Sequence, residues 1–373
     1  MIQKPKIVTI VGTRPELIKM SLIIKELDIC SNHFLVHTGQ NFDFELNEIF
    51  FNDLKLRKPD FYFKSNKKTA IQTISDILIK TEALFIKLKP DALIIYGDTN
   101  SCISSYVAKK MHIPIFHLEA GNRSFDENIP EEINRKLIDH ISDINMPLTE
   151  RARDYLLKEG IRGDSIVKIG SCMKEVINHN SIKISKSKIL KKLKLVKKKY
   201  IVVSIHREEN LEDKIIFLNI LNNLEYLGSY FKLPILISTH PRTQNKIDKL
   251  TNIKFKNLIF IKPLSFTDYI SLQSFSFCVI SDSGTIAEES SILKFPAIML
   301  RENHERPEAF DSGVLIKSYN DLNHLINSVT TVTKTQSRVN HNIVLDYDQH
   351  TTSIIVIRCI LSYISNVKKK YSK

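Results

Sequence analysis

The strongest constraint on the fold is a regular alternation of short apolar runs with amphipathic segments. Ala92–Tyr96 is continuously apolar, which is typical of a strand buried on both faces of a parallel sheet. In Pro15–Ile29 apolar residues recur every three or four positions, which predicts a helix with one buried face. Strands that alternate with helices in this way predict an α/β fold with doubly wound parallel sheets.

The alternation occurs once in each half of the chain. The predicted strands are Lys6–Val11, Phe34–Thr38, Ala92–Tyr96, Pro114–Leu118, Tyr200–Ile205, Pro234–Ser238, Leu258–Ile261, Cys278–Ser281 and Ala297–Leu300. The predicted helices of the first half are Pro15–Ile29, Thr69–Leu88 and Ser101–Met111. The buried stripe expected on the second of these helices is Ile71, Ile74, Ile77, Leu78 and Phe85. Two such halves predict two domains, 1–182 and 200–351, separated by a linker at 183–199.

The chain is strongly basic, with a net charge of +13. A basic chain can bind nucleic acid, an anionic membrane surface or an anionic small molecule. Its most basic segment, Lys183–Tyr200, contains nine Lys and no acid, so it is either a solvated linker or a nucleic-acid contact. No Arg or aromatic side chain is interleaved there for stacking, which favours the linker. We therefore expect an anionic small-molecule partner, with no nucleic acid and no membrane.

Cysteine usage indicates the compartment. The five cysteines are an odd number, widely spaced and without a C-x-x-C pattern. This pattern predicts neither a disulfide framework nor a cysteine zinc site, and it favours a reducing cytoplasm. No apolar run reaches the ~18 residues that a membrane span needs. We expect a cytoplasmic protein.

A candidate anion site follows the first predicted strand. Gly12–Glu16 reads Gly-Thr-Arg-Pro-Glu, in which Gly permits a tight turn and Pro suits the first position of a helix. Arg14 and Lys19 add positive charge close to this helix N-terminus, which makes a phosphate site plausible.

Three acids follow later strand ends in the first half. Asp98 directly follows a buried strand, where a carboxylate is either a helix cap or a catalytic group. Glu119 and Glu131 come after the next strand, and convergence of the three would raise their pKa values and permit proton transfer near neutral pH. A metal site is the rival interpretation, but no second His or spaced Asp pair supports it. We expect no metal.

The second half carries the signals of a nucleotide site. His206 follows its first strand, and a turn made of Ser283, Gly284 and Thr285 opens a helix after a later strand. Such a turn presents backbone N–H groups to a phosphate. Glu289 lies further inside that helix, where its carboxylate is placed to hold ribose hydroxyls.

Taken in order, these motifs resemble the non-hydrolysing UDP-N-acetylglucosamine 2-epimerase family over nearly the full length of the chain. The matching segments are Gly12–Glu16 with Lys19, His37–Gln40, Gly97–Thr99, His117–Arg123, Pro130–Arg135, His206–Asn210, Asp282–Glu289 and Glu305–Glu308. The resemblance implies a GT-B architecture of two Rossmann-like domains facing each other across a cleft. It also implies that the C-terminal helix, 352–373, crosses back to the first domain.

The resemblance implies a reaction that inverts C2 of a UDP-2-acetamido sugar by eliminating UDP to a glycal and adding it back. This chemistry needs no metal and no nicotinamide, so we expect no cofactor. The resemblance assigns proton transfer to Asp98, Glu119 and Glu131, and a role near the UDP phosphates to His206. The substrate-binding positions that it implies are Arg14, Lys19, Tyr269, Ser283, Gly284, Thr285, Glu289 and Arg306. Tyr269 would lie against the uracil. We expect a homodimer that binds a UDP-amino sugar.

Several segments resemble one branch of the family in particular. The segments concerned are Gly121–Asp126, Asn134–Lys136, Asp139–Asn145 and Asn303–Pro307. That branch makes UDP-N-acetyl-L-fucosamine from UDP-2-acetamido-2,6-dideoxy-L-talose for capsule or O-antigen, a part of lipopolysaccharide. The chain departs from the family pattern at two places. Thr285 replaces the family's usual second Gly. Residues 41–46 also differ, in a region that in bacterial relatives helps to bind a second, allosteric substrate molecule.

Two alternatives come from other functional classes. A GT-B glycosyltransferase would share the fold and the UDP-sugar donor, but it needs an acceptor groove and only one base. A basic binding module would leave the three acids unexplained. Incubation with a UDP-amino sugar and no acceptor separates them, because only an epimerase gives two UDP-sugars.

Overall fold

The computed structural model describes residues 4–39, 44–65, 67–205, 213–239, 255–301, 304–340 and 342–371. The chain divides into two compact units. The first consists of Met1–His179 together with Leu345–Lys373, and the second of Asn180–Val344.

The first unit contains a parallel sheet of six strands. Its strands are β1 (Lys6–Val11), β2 (Asn32–His37), β3 (Phe61–Tyr62), β4 (Ala92–Tyr96), β5 (Ile115–Leu118) and β6 (Ile144–Met146). Its helices are α1 (Arg14–Cys30), α2 (Phe44–Asp53), α3 (Ala70–Leu88), α4 (Ser104–Lys110), α5 (Pro130–Ile141), α6 (Glu150–Lys158), α7 (Met173–His179) and the C-terminal helix.

The second unit repeats this plan. Its strands are β7 (Ile201–Ser204), β8 (Ile235–Ser238), β9 (Leu258–Ile261), β10 (Cys278–Ser281), β11 (Ala297–Leu300) and β12 (Ile316–Ser318). Its described helices are α8 (Ser181–Ser185), α9 (Ile189–Lys192), α10 (Lys214–Phe231), α11 (Phe266–Ser274), α12 (Thr285–Leu293), α13 (Glu308–Asp311) and α14 (Leu322–Val339). The C-terminal helix, which clusters with the first unit, is α15 (Thr352–Tyr371).

The order of the strands places the candidate motifs. The first sheet runs β3-β2-β1-β4-β5-β6 and the second runs β12-β11-β10-β7-β8-β9, with every pair parallel. The direction of winding reverses between β1 and β4 in one sheet and between β7 and β10 in the other. Ligands of open α/β sheets bind at the carboxyl ends of the strands beside such a reversal. The prediction of two doubly wound parallel sheets is confirmed.

Burial explains why these segments form these elements. The central strands β1, β4 and β5 are almost wholly inaccessible, and the continuous apolar composition of β4 matches a strand with helices on both faces of the sheet. On α1 the predicted inner face is confirmed, because Leu17, Met20, Ile24 and Leu27 are all buried. Helix α15 packs against α1 through the apolar side of its amphipathic sequence.

The predicted buried stripe of α3 is wrong at one end. Ile71 is 72% exposed, and the buried positions of the helix are Thr73, Ile77, Thr81, Leu84 and Phe85. The first turn of α3 begins at a Thr69 cap, whose hydroxyl accepts the Gln72 backbone N–H. Packing of Ile74, Leu78, Leu84 and Phe85 against the core of the sheet decides which face is buried, and apolar periodicity alone does not reveal it. The predicted helix 101–111 is also split, into a 3₁₀ turn at Asn100–Ile103 followed by α4.

The docking of α15 on α1 gives a stability prediction. Ile360 on the inner face of α15 is fully buried, whereas its neighbour Leu361 is 45% exposed. We expect Ile360→Ala to lower the free energy of unfolding by about 2–5 kcal/mol, because it leaves a cavity. Leu361→Ala is the control, with a change of at most about 0.5 kcal/mol. Denaturant unfolding measures both, and equal losses would contradict the packing described.

Candidate functional site

The carboxyl edge of the first sheet brings Asp98 and Glu119 into neighbouring turns. Strands β4 and β5 are paired up to Tyr96 and Leu118, so the residues that follow both strands emerge side by side. A Cβ atom built on Gly97 would lie 3.6 Å from Oε1 of Glu119. The sheet therefore brings these two predicted acids together.

Glu119 is held by a buried cation. Lys19 Nζ lies 2.6 Å from Glu119 Oε2, and the Tyr96 hydroxyl donates to the same oxygen at 3.0 Å. The Lys19 side chain is only 2% exposed, which makes the contact a buried ion pair. Glu119 has a φ of +63°, a left-handed conformation that is unfavourable for a residue with a side chain and is often found at active sites.

Asp98 is held by helix α5. Arg135 Nε lies 2.6 Å from Asp98 Oδ2, and the Asn134 side-chain amide donates to the Asp98 carbonyl oxygen at 2.8 Å. Glu131 lies three and four residues before these partners, so it is on the same face of the helix. No hydrogen bond joins Glu131 to Asp98 or Glu119 within the described residues. Asp98 and Glu119 thus each lie beside a cation, Arg135 and Lys19 respectively.

Glu16 is a buried acid that sequence reasoning did not select. Its carboxylate accepts the Gly12 backbone N–H at 2.5 Å and the Thr99 hydroxyl at 2.5 Å, which ties the start of α1 to the turn after Asp98. Burial raises the pKa of Glu16 to about 7, although the hydrogen bonds from Thr99, Gly12 and Thr13 oppose the shift. The signal in the sequence was a Thr-x-x-Glu capping box at Thr13–Glu16.

The second sheet carries the predicted phosphate turn. Ser283 and Thr285 hydroxyls lie 3.1 Å apart at the N-terminus of α12, where the helix dipole favours an anion. A Cβ atom built on Gly284 would lie 3.4 Å from Arg306 Nε, so the Arg306 guanidinium is beside this turn. Arg306 is oriented by Glu288, with 2.7 Å between Nη1 and Oε2. Hydroxyls, a helix N-terminus and a guanidinium together form an arrangement suited to a phosphate.

Tyr269 and Glu289 lie together beside the end of β7. Glu289 is buried and accepts the Gln273 side-chain amide at 2.9 Å. Burial and the nearby Glu289 raise the pKa of the Tyr269 hydroxyl, which is also hydrogen-bonded to Ser204 and Gln273. The structure thus brings the two predicted residues into one polar cluster of the second unit.

Two further residues predicted from the sequence have different outcomes. Arg14 begins α1, and its guanidinium carbon lies 5.8 Å from the centre of the Phe50 ring, a cation–π contact. His206 lies outside the described residues, as does the rest of its motif, His206–Asn210.

Metal clusters and membrane-spanning helices are both absent from the described part of the chain. No group of three or more His, Cys, Asp and Glu side chains there is arranged to hold a metal ion. No helix among the described residues is both long enough and apolar enough to cross a membrane.

Comparison with known proteins agrees with the two-sheet plan. Residues 26–361 match the family model described as UDP-N-acetylglucosamine 2-epimerase. The solved UDP-N-acetylglucosamine 2-epimerase of Rickettsia bellii is 44% identical, with a TM-score of 0.91 over 98% of this chain and 99% of that one. The Methanocaldococcus jannaschii UDP-GlcNAc 2-epimerase, solved with UDP-GlcNAc and UDP, is 32% identical, with a TM-score of 0.87 over 96% and 99%. A Pseudomonas aeruginosa UDP-2,3-diacetamido-2,3-dideoxy-D-glucuronate 2-epimerase is 33% identical over 85% of this chain and 90% of that protein.

Two Rossmann-type sheets, one with acids and one with the predicted phosphate turn at the winding reversal, define a two-domain α/β enzyme of the GT-B type. The match over 26–361 makes the particular family plain. The chain belongs to the UDP-N-acetylglucosamine 2-epimerase family, whose members are isomerases.

The raised pKa of Glu16 gives a pH-dependent prediction. The folded protein keeps this proton up to about pH 7, whereas the unfolded chain loses it near pH 4.5. The stabilisation is therefore fully present below pH 4.5 and is lost as the pH rises through 7. Between pH 5 and pH 8 the stability advantage of the wild type over Glu16→Gln should fall by about 2–3 kcal/mol.

Denaturant unfolding of both proteins at pH 5 and pH 8 measures that difference. Glu127→Gln serves as the control, because Glu127 is 84% exposed and its replacement should leave the pH dependence unchanged. A wild-type advantage that stays constant with pH would contradict the shift.

Proposed function

We propose that this chain inverts C2 of a UDP-2-acetamido sugar by anti elimination of UDP and re-addition. The observation that carries the proposal is the acid cluster at the carboxyl edge of the first sheet. There Glu119, in a left-handed conformation and paired with buried Lys19, lies beside the turn that carries Asp98. Carboxylates on neighbouring turns are the groups needed to remove a proton and to return one.

The reaction balances without a co-reactant. The proton at C2 is not acidic, so simple abstraction would be far too slow. In elimination the C1–O bond to UDP breaks with its electron pair, a carboxylate takes the C2 proton, and a glycal with free UDP results. In re-addition a proton returns to C2 on the opposite face and the UDP oxygen attacks C1. The net change is inversion at C2.

The first unit would supply the proton-transfer groups. We assign that role to Asp98, Glu119 and Glu131, with Lys19 and Tyr96 orienting the Glu119 carboxylate through the contacts at 2.6 and 3.0 Å. Arg14, at the N-terminus of α1, would add positive charge for the diphosphate.

The second unit would bind the nucleotide. The turn at Ser283, Gly284 and Thr285, with Arg306 beside it, would hold the diphosphate, and His206 would act near the same phosphates. Glu289 would hold the ribose hydroxyls and Tyr269 would lie against the uracil. The structure of the Methanocaldococcus jannaschii relative contains UDP-GlcNAc and UDP, which supports a uridine nucleotide as the ligand of this chain.

The sugar itself has two candidates. One is UDP-N-acetylglucosamine, converted to UDP-N-acetylmannosamine, and the other is UDP-2-acetamido-2,6-dideoxy-L-talose, converted to UDP-N-acetyl-L-fucosamine. Motifs such as Gly121–Asp126 and Asn134–Lys136 favour the second. The Pseudomonas aeruginosa relative is named for a UDP-2,3-diacetamido-2,3-dideoxy-D-glucuronate substrate. Its name supports the idea that relatives at this level of identity act on sugars other than UDP-GlcNAc. We place the enzyme as a cytoplasmic homodimer in surface-polysaccharide synthesis.

A GT-B glycosyltransferase is the alternative. Such an enzyme needs a single base, whereas Asp98 and Glu119 are each paired with a different cation, Arg135 and Lys19. Two separately oriented carboxylates suit two proton transfers better than one. The epimerase is therefore the function that the site supports best.

Incubating the protein in heavy water with each candidate UDP-sugar, without an acceptor, tests this function. We expect two UDP-sugars at equilibrium, with deuterium at C2 of the product, because the returned proton comes from a group that exchanges with solvent. NMR measures both results. If neither substrate gives a second UDP-sugar, the proposed function is overturned. A product without deuterium at C2 would overturn the exchange step.

Amide replacements test the three acids. Asp98→Asn, Glu119→Gln and Glu131→Gln keep the shape and remove the proton chemistry, so each should lower kcat by roughly 10²-fold or more. Glu127→Gln is the matched control, because Glu127 is an exposed acid in the loop before α5. Steady-state kinetics measures the effect. A Glu131→Gln enzyme with the kcat of the control would remove Glu131 from the mechanism.

A further inference from the structure

A buried charged cluster lies directly beneath the two acid-bearing turns. It consists of Asp139 on α5, His117 on β5 and Arg123 after β5, and we call it the Asp139 cluster. Each of the three side chains is about 1% exposed. None of them was selected as a site residue from the sequence. A buried carboxylate with two cationic or polar partners is costly to assemble, so the contacts it makes are informative.

Asp139 remains an anion because of its partners. Arg123 Nη1 lies 2.7 Å from Asp139 Oδ2 and His117 Nδ1 lies 2.9 Å from Asp139 Oδ1. Burial alone would raise the pKa of Asp139, but the hydrogen bonds and charges of His117 and Arg123 hold it below its usual value. Asp139 also accepts the Gly121 backbone N–H, at 3.1 and 3.3 Å from its two oxygens.

The Gly121 contact reaches the turn that carries Glu119. Glu119 and Gly121 both have positive φ angles, +63° and +81°. A side chain at position 121 would collide with the Ala152 carbonyl oxygen and with Leu156. A left-handed Glu costs free energy and persists only where its surroundings hold it. The Asp139 carboxylate stabilises this turn by accepting the backbone N–H of Gly121, two residues after Glu119.

The His117 contact reaches the turn that carries Asp98. His117 Nε2 lies 2.7 Å from the carbonyl oxygen of Gly97, the residue immediately before Asp98. The opposite nitrogen of the same ring faces Asp139. One buried carboxylate is therefore connected to the Glu119 turn through Gly121 and to the Asp98 turn through His117.

We propose that Asp139 is a positioning residue that fixes the Asp98 and Glu119 turns relative to each other, acting through His117 and the Gly121 amide. The inference rests on the proposed function, because it gives Asp98 and Glu119 the proton transfers. Asp139 itself does not touch the sugar in this proposal. Misplacement of a catalytic group by about 1 Å can cost roughly 10²-fold in rate, so loss of the connection should be visible in kcat.

The chain contains a second Asp–His–Arg cluster that serves as a control, although its Asp28 and Arg57 side chains are 30% and 33% exposed. Asp28 at the end of α1 lies 2.6 Å from His33 Nδ1 and 3.0 Å from the Arg57 guanidinium, and His33 Nε2 lies 2.9 Å from the Thr9 hydroxyl. It has the same Asp, His and Arg composition in the same unit. Because His33 is near the start of β2, this cluster lies away from the carboxyl edge that carries the acids.

The first experiment compares Asp139→Asn with Asp28→Asn in the full-length protein. The Asp139→Asn replacement keeps one side-chain oxygen for the Gly121 N–H, removes the negative charge, and places an NH2 group against either His117 or Arg123. We expect a kcat roughly 10- to 100-fold below wild type for Asp139→Asn, with KM little changed, and an unchanged kcat for Asp28→Asn. Thermal unfolding of both variants shows whether each is folded at the assay temperature.

The second experiment is a double-mutant cycle on kcat. His117→Asn removes the connection to Gly97 while Asp139 keeps Gly121 and Arg123, so it should also lower kcat. If Asp139 acts through His117, the double variant should lose much less than the product of the single losses. His33→Asn is the control for the histidine. His117→Asn alone decides the question if the Asp139→Asn protein fails to fold.

The outcomes distinguish a failure of this inference from a failure of the proposed function on which it rests. A wild type that gives no second UDP-sugar overturns the proposed function, and this inference falls with it. An active wild type whose folded Asp139→Asn or His117→Asn variant keeps the full kcat overturns the positioning role alone. Equal kcat losses in Asp139→Asn and Asp28→Asn also overturn it, since general destabilisation would then account for both.

Discussion

The parallel direction of the strands is the constraint on which the rest of the structure depends. Because β1, β4 and β5 all run the same way, their carboxyl ends meet on one edge, and residues far apart in sequence become neighbours there. Glu16 therefore accepts a hydrogen bond from the Thr99 hydroxyl, and Lys19 forms an ion pair with Glu119. The winding reversal between β1 and β4 is at the same edge, where ligands of open α/β sheets bind. The second sheet repeats the arrangement, with the predicted phosphate turn after β10.

Buried cations hold the acids at the carboxyl edge of the first sheet. Lys19 and Arg135 are nearly inaccessible, and each pairs with an acid from a different element. Removing such charges from water is expensive, and an unpaired partner would be more expensive still. The pairs therefore hold Glu119 and Asp98 in defined positions even where the backbone, as at Glu119, is locally unfavourable. Rigid placement of acids suits a reaction that depends on the direction of proton transfer.

The acids of this region experience different surroundings, and their expected roles differ accordingly. Glu16 is buried among neutral donors, and burial raises its pKa to about 7. Asp139 is equally buried but has His117 and Arg123 beside it, and its pKa is lowered. Glu16 therefore serves as a helix cap that can carry a proton, whereas Asp139 serves as a permanent anion beneath the turns. Position relative to cations, rather than depth of burial, decides the charge state.

Apolar periodicity was enough to predict nine of the twelve described strands, the two doubly wound sheets and the motifs at the strand ends, because these signals are local and repeat along the chain. It missed β3, β6 and β12, which are edge strands of two or three residues and too short to show a pattern. Parallel topology then placed Asp98 and Glu119 on one edge. The pairing of each acid with its cation could not be predicted in this way, since Lys19 and Glu119 are 100 residues apart and meet only in the folded chain. The same holds for Glu16 and for Asp139, whose roles depend on burial and on partners from other elements. The exposed Ile71 shows the same limit on a helix, because packing against the sheet, not periodicity alone, decides which face turns inward.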